Sequence, residues 1–370
     1  MSWGLSFVIH LIAALVIGLA VPALSALVFP FAVRRLSGFM SDRLGPNRVG
    51  PAGFFQPIAD FLKLLLKEDV APLKADRRLF RLAPAIAFIT PVLAVSVIPF
   101  SKGFTIANLN VGLVFIVAFS SFTVLGILLA GWASHNKYSL LGGLRSVAQM
   151  VSYEIPMILN IIIIAMLVGS LSLNDVVGAQ GKIWFIAVQP LAFLVFIVAG
   201  MAELNRTPFD LPEAESELVA GYLTEYSGMR FGFFYGLVEW GNASIWALTG
   251  ATLFLGGWRG PFAGNPGWLI LKVLVLAFAV IWFFATFPRL QVDQLMNFAW
   301  KVLIPLSLVN LGVTGLLIIL LPNSFLPPVA AFSWASVITI ILLMGPVLRK
   351  ALLRKRLKLN PGTELGTSQS

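Results

Sequence analysis

The sequence contains no cysteine and only two histidines, His10 and His135. The chain therefore lacks the ligand sets for an iron–sulfur cluster, a zinc site or a bis-histidine haem, so no metal centre is expected. Any electrons it uses arrive from elsewhere. Charge is scarce as well: 11% of residues are charged, against about a quarter in soluble domains, while 58% are hydrophobic. That excludes an ordinary water-soluble fold. The first ten residues, MSWGLSFVIH, carry neither a basic n-region nor a small-residue cleavage site, so the first apolar run is expected to remain as a span.

Long apolar runs fill the chain instead. Nine runs, centred on 11 to 33, 80 to 100, 111 to 131, 148 to 169, 183 to 203, 231 to 257, 268 to 287, 302 to 321 and 329 to 348, are candidate membrane helices. The runs are continuously apolar, which excludes a β-barrel. The expected fold is an all-α polytopic membrane protein of about nine transmembrane helices, with an amphipathic interfacial helix on the cytoplasmic side. A single transmembrane domain would cover 1–348 and a basic tail 349–370, with no short-period repeat and no soluble domain large enough to fold alone.

The formal charge of +10 is explained by topology before nucleic acid. With the N-terminus outside and the C-terminus cytoplasmic, 22 of the 26 basic residues lie inside, and Lys102, Lys182, Arg259 and Lys272 lie outside. This is a strong positive-inside bias. The RKALLRKRLK tail adds attraction to anionic lipid. Of the 16 acids, Asp175 alone falls outside.

Two long cytoplasmic connections remain, 34 to 79 and 204 to 230, and long connections in compact proteins tend to be functional. In the first, Gly45-Pro46 and Gly50-Pro51 turn the chain ahead of a helix over about 54–67. Gln56, Asp60, Lys63 and Lys67 form one polar stripe, and Phe54, Phe55, Ile58, Phe61, Leu62 and Leu65 occupy the other faces. That pattern describes a helix lying in the interface plane, and periodicity alone leaves open an inert connector with a solvated charged face. GPNRVGP is not a phosphate loop, because the GK[ST] ending is missing.

Over 203–228 the second connection and its border carry Glu203, Asp210, Glu213, Glu215, Glu217 and Glu225 against Arg206 alone. Carboxylates crowded at a membrane surface repel one another and titrate as a coupled group. Glu154 and Glu239 lie further in, within the fourth and sixth runs. Ionisable groups at such depth are costly and usually mark an ion or proton path, the alternative being a carboxylate neutralised by a basic partner. Together these acids describe half a channel, reaching from the cytoplasmic side toward mid-membrane.

The blocks RLGPNRVGPAGFFQPIADFLKLLLKEDVAP, GWASHNKYSLLGGLRSVAQMVSYEIP, NRTPFDLPEAESELVAGYLTEYSGM and DQLMNFAWKVLIPLSLVN, spread over about 34–310, resemble the membrane protein of respiratory complex I called the H subunit in bacteria and subunit 1 in mitochondria. The resemblance implies a multi-pass subunit of a bacterial inner membrane that joins the hydrophilic arm to the antiporter-like arm. It implies a share in the quinone-access tunnel, with Arg34, Arg35, Arg48, Gln56, Asp60, Arg289 and Asp293 beside it. It also implies proton coupling through Glu154, Glu203, Asp210, Glu213, Glu215, Glu217, Glu225 and Glu239. The implied partners are the hydrophilic-arm quinone-site subunits carrying the terminal iron–sulfur cluster, small membrane subunits, antiporter-like subunits and membrane lipid. Quinone is the implied substrate, and nucleic acid is not a partner.

Three positions depart from the family pattern. Glu-Arg-Arg at the end of the first helix reads Val33-Arg34-Arg35, Arg-x-Arg-Tyr-Asp-Gln reads Arg289-Leu290-Gln291-Val292-Asp293-Gln294, and an upstream arginine is replaced by Phe284. Competing readings are the anchor subunit of a membrane-bound hydrogenase, a secondary transporter with midplane acids, and a structural anchor with inert carboxylates. The transporter reading requires inverted repeats and acids open to both sides, and the sequence shows neither.

Overall fold

A computed structural model describes residues 2–212, 215–260, 264–322 and 324–359. Glu213 lies outside the described residues, as does the side chain of Glu215. The long α1 (Ser2–Met40) leads into the first connection, which holds α2 (Gln56–Leu66). Then come α3 (Arg77–Val95), α4 (Gly112–Ala133) and α5 (Lys137–Val168). Two short helices, α6 (Leu173–Ala179) and α7 (Phe185–Val188), precede α8 (Pro190–Glu203). The acidic connection contains α9 (Glu215–Leu218) and ends at α10 (Gly228–Gly232), which continues through a π-helical stretch (Phe233–Val238) into α11 (Glu239–Phe254). The chain closes with α12 (Pro266–Thr286), α13 (Val292–Phe298), a second π-helical stretch (Ala299–Leu303), α14 (Ile304–Leu320) and α15 (Leu326–Leu359).

All nine apolar runs are helical, and the chain is a polytopic α-helical membrane protein. Six helical stretches meet both the length and the apolarity of a membrane span, from Leu15–Met40 to Val292–Leu320. The 22 residues of α4 rise about 33 Å, enough for a hydrocarbon core of about 30 Å. The run at 183–203 is interrupted at Gln189 and yields the shorter α7 and α8. The basic tail begins as a continuation of α15, which extends to Leu359.

Local chemistry sets the helix ends. Asp76 caps α3 by accepting from the Arg78 and Leu79 amides, and Asn136 caps α5 by accepting from the Tyr138 amide. Asn265 caps α12 ahead of Pro266, and α5 stops at Gly169 in the left-handed region, φ 73°.

The connections sort into two faces by their mutual hydrogen bonds. On one face Val70 N donates to Ser227 Oγ, Asp76 N to the Ala133 carbonyl and Leu290 N to the Pro208 carbonyl. On the opposite face Leu113 N donates to the Leu171 carbonyl and Gln180 Nε2 to the Thr252 carbonyl. The acidic connection is pressed onto α5: a Cβ on Gly142 would lie 2.5 Å from the Gly221 Cα, so only glycine permits that approach. In the first connection Gly53 has φ +78°, and a Cβ there would lie 2.1 Å from the Pro46 carbonyl oxygen. The GPNRVGP block is thereby folded tightly back on itself just before α2.

Candidate functional site

A cavity of about 580 Å³ lies between α1, α2 and the α10–π segment. Its walls are mainly apolar, including Pro30, Phe61 and Leu64, with Arg34, Asp60, Lys63 and Tyr235 as polar members. The stripe on α2 is thus not merely a solvated face. Asp60 and Lys63 border the cavity, while Leu62 and Leu65, 53% and 49% exposed, turn away from the core.

Asp60 is held by Arg34 through an ion pair and by Gln56 Nε2 at 3.0 Å. Burial pushes its carboxyl up, but the bonds from Arg34 and Gln56 and the charges of Arg34 and Lys63 outweigh that and hold it below the ordinary 3.8. Arg35 points elsewhere, donating to the Ala52 carbonyl at 2.6 Å and pinning the GPNRVGP turn to α1. Arg48 and Asp293 are exposed and line neither this cavity nor the two smaller ones described below.

The π-helical stretch places Tyr235 on the cavity wall. A π turn adds one residue to the helical register and so rotates the succeeding residues by about 100°. Immediately after it comes Glu239, buried, whose carboxylate accepts from Arg206 at 2.8 Å and from the Tyr222 hydroxyl at 3.0 Å. The guanidinium also lies 4.1 Å from the centre of the Trp240 ring. Of the two bases of the acidic connection, Arg230 pairs with Asp69 at 2.8 Å, and Arg206 pairs with this buried carboxylate.

The other acids divide by their partners. Asp210 is paired with Arg289 at 2.8 Å, Glu217 with Arg145 at 2.6 Å, and Glu225 accepts from Asn136 Nδ2, the cap of α5. These contacts pin the acidic connection to α5 and to the segment before α13. Glu154 is held differently, by the hydroxyls of Ser120 at 2.8 Å and Ser121 at 3.3 Å. Glu203 accepts no hydrogen bond from the described residues and lies within the electrostatic reach of Glu154. Glu154 and Glu203 therefore have no basic partner among the described residues, unlike Glu239 and Asp210.

Two smaller cavities link these groups. One of about 60 Å³ is bordered by Arg206, Tyr235, Trp240, Leu204 and Trp246. Another of about 50 Å³ is bordered by Glu203, Ser120, Asn242, Thr249, Leu204 and Trp246. Tyr235 is shared with the large cavity, and Leu204 and Trp246 are shared by the two small ones. Asn242 Oδ1, Trp246 Nε1 and Thr249 Oγ1 are buried without a protein partner, so the space beside Glu203 has the size and the polar groups to hold water. Val33 and Phe284 line the 60 Å³ cavity together. Two of the three departures from the family pattern thus stand in the wall of one cavity.

Sequence reasoning overlooked Tyr235, Ser120 and Asn242. A serine pair at 120 and 121 within an apolar run was a readable signal. Tyr235 carried none, because its placement depends on the π register.

The fold and site define a polytopic membrane protein with a large apolar cavity beside an interfacial helix and carboxylates set within its spans. A family model described as NADH dehydrogenase matches residues 12–315. The H subunit of the NADH-quinone oxidoreductase of Dehalococcoides mccartyi strain CBDB1 is 51% identical over 317 residues, 86% of this chain and 89% of the relative. The corresponding H subunit of Geobacillus kaustophilus is 53% identical over 289 residues, 77% of this chain and 86% of the relative. An H subunit of the Geobacter metallireducens NADH-quinone oxidoreductase is 50% identical over 326 residues, 86% and 98% respectively. The chain belongs to the H-subunit family of NADH-quinone oxidoreductase and is a membrane subunit of complex I.

Removing one partner of a buried ion pair typically costs 3–5 kcal/mol, because the other charge is left uncompensated. Arg206→Met is accordingly expected to lower unfolding stability by about 3–5 kcal/mol, and a second change, Glu239→Leu, to recover much of that loss. Denaturation of both variants in detergent measures this, and a double variant no more stable than the single one would contradict it.

Asp60 has a folded-state pKa below its unfolded value, so its contact stabilises above the unfolded value and is lost as pH falls through the folded one. In Arg34→Gln the burial penalty remains while the ion pair is gone, and the Asp60 midpoint should rise. The Asp60 carboxyl-carbon shift followed against pH checks this, with equal midpoints the contrary result.

Proposed function

We propose that this protein forms the quinone-access tunnel together with the hydrophilic arm and couples quinone reduction to proton translocation through its carboxylates. The observation that carries the reading is the series of cavities with shared walls, from the 580 Å³ chamber past Tyr235 and Arg206–Glu239 to Glu203. An apolar chamber with a few polar groups suits a quinone ring and its hydrocarbon chain. It supports this reading over a hydrogenase anchor, which needs no such chamber.

The ring is reduced at an iron–sulfur cluster held by a hydrophilic-arm partner, and the Arg34–Asp60 pair and Lys63 orient it on its way. Charge arriving in the chamber acts on the Arg206–Glu239 pair across the wall that Tyr235 forms. Glu203 and Glu154, which have no basic partner among the described residues, serve the proton transfer that this change of field drives. Asp210, Glu217 and Glu225 hold the acidic connection in place, and Glu213 and Glu215 supply its cytoplasmic proton entry. Arg48, Arg289 and Asp293 serve the tunnel from its entrance side. The chain sits in a bacterial inner membrane with its N-terminus outside and its C-terminus cytoplasmic. Small membrane subunits receive the charge change, and antiporter-like subunits continue the proton movement.

In membrane vesicles carrying the assembled complex, Glu203→Gln and Glu154→Gln are expected to lower NADH-driven quinone reduction and proton uptake by about tenfold or more. Unchanged turnover and pumping with normal assembly would show the carboxylates to be inert.

A further inference from the structure

The face opposite the acidic connection carries a polar cavity of about 350 Å³, built from three connections of the chain. Lys102 and Asn108 come from the connection between α3 and α4, Asn174 from α6, and Trp258 and Arg259 from the connection after α11. Its hydrogen-bond acceptors are largely occupied from within. Asn174 Oδ1 accepts from Thr105 Oγ1 at 3.0 Å, and Asn108 Oδ1 accepts from Asn174 Nδ2 at 2.8 Å. The Asn108 amide nitrogen is thereby left as a donor.

Arg259 is fixed from behind and unopposed in front. The loop carrying it is fastened by Lys272, whose buried ammonium donates to the Gly257 carbonyl at 2.9 Å and to the Arg259 carbonyl. The Arg259 Nε is buried without a hydrogen-bond partner. Its guanidinium passes so close to Gly181 that a Cβ there would lie 2.4 Å from Nη1, which brings the neighbouring Lys182 to the same region. Among the described residues no carboxylate pairs with Lys102, Lys182 or Arg259. The acid closest in sequence to the lining, Asp175, is engaged by Ser170 Oγ at 2.6 Å and does not line the cavity.

Four basic residues sit on this side against the prevailing charge bias, and two of them, Lys102 and Arg259, line one cavity. A guanidinium, an ammonium and an amide donor facing one space form the donor set that a phosphate group satisfies, with Arg supplying two parallel bonds. Trp258 in the wall and Trp184, 4.5 Å from the Lys272 ammonium, are the aromatic residues typical of headgroup level. We propose that this cavity binds a phosphate-bearing anion, either the headgroup of an anionic phospholipid or free phosphate.

The test uses the assembled complex, purified in detergent and stripped of lipid. A photoreactive phosphatidylglycerol is added alone or with excess inorganic phosphate, and cross-linked peptides covering 255–260 are quantified. Saturable labelling is expected, falling about tenfold in Arg259→Gln and in Lys102→Gln, a change at an exposed loop residue that leaves the helices untouched. Labelling that survives millimolar phosphate assigns the site to lipid headgroups. Labelling abolished by phosphate, with direct phosphate binding lost in both variants, assigns it to the free anion. Labelling and phosphate binding equal in the native complex and in Lys102→Gln would overturn the proposal, as would the absence of saturable binding of either anion.

Discussion

A carboxylate inside a bilayer must be paired with a cation, solvated by hydroxyls and water, or made neutral, because the hydrocarbon offers it nothing. The internal organisation of this protein follows from how that requirement is met at each acid. Glu239 is met by Arg206 and Tyr222 at 2.8 and 3.0 Å, and Arg206 must therefore reach inward from the acidic connection. The connection is drawn into the protein by the residue that neutralises the buried acid. Among its described acidic side chains, Asp210, Glu217 and Glu225 then fasten it at the edges.

The same requirement separates rigid groups from responsive ones. An ion pair in a low-dielectric interior is strong and slow to change, whereas a carboxylate held only by hydroxyls can gain or lose a proton without breaking a salt bridge. Glu154 is held by hydroxyls alone, and Glu203 faces a small, mainly apolar cavity with no described partner. Between these two and the large chamber stands the Arg206–Glu239 pair, bordering the intermediate cavity through Arg206.

Much of this organisation was legible in the sequence. Nine apolar runs became helices, the amphipathic helix stands at Gln56–Leu66, and Glu154 and Glu239 lie on helices as their runs predict. Their sorting by partner was not legible, because Arg206 and Glu239 are 33 residues apart and nothing in either segment names the other. Nor was the direction of the α2 stripe, since periodicity defines a polar face without saying whether water or a cavity lies against it. Tyr235 was hidden for a third reason: a π turn shifts the register, so wheel positions read from a regular 3.6-residue period misplace the residues beyond it. Val33 and Phe284 are far apart in the sequence, and only the structure brings them to one cavity wall.

The central claim is that Glu203 changes its proton occupancy when quinone is reduced in the chamber. Redox-triggered infrared difference spectroscopy on the assembled complex tests it directly, because a protonated carboxyl has its own C=O stretch. The account predicts a carboxyl band that appears or disappears on quinone reduction, shifts in deuterated water and is absent in Glu203→Gln. A band unaltered by Glu203→Gln, in a complex that still reduces quinone, would contradict it.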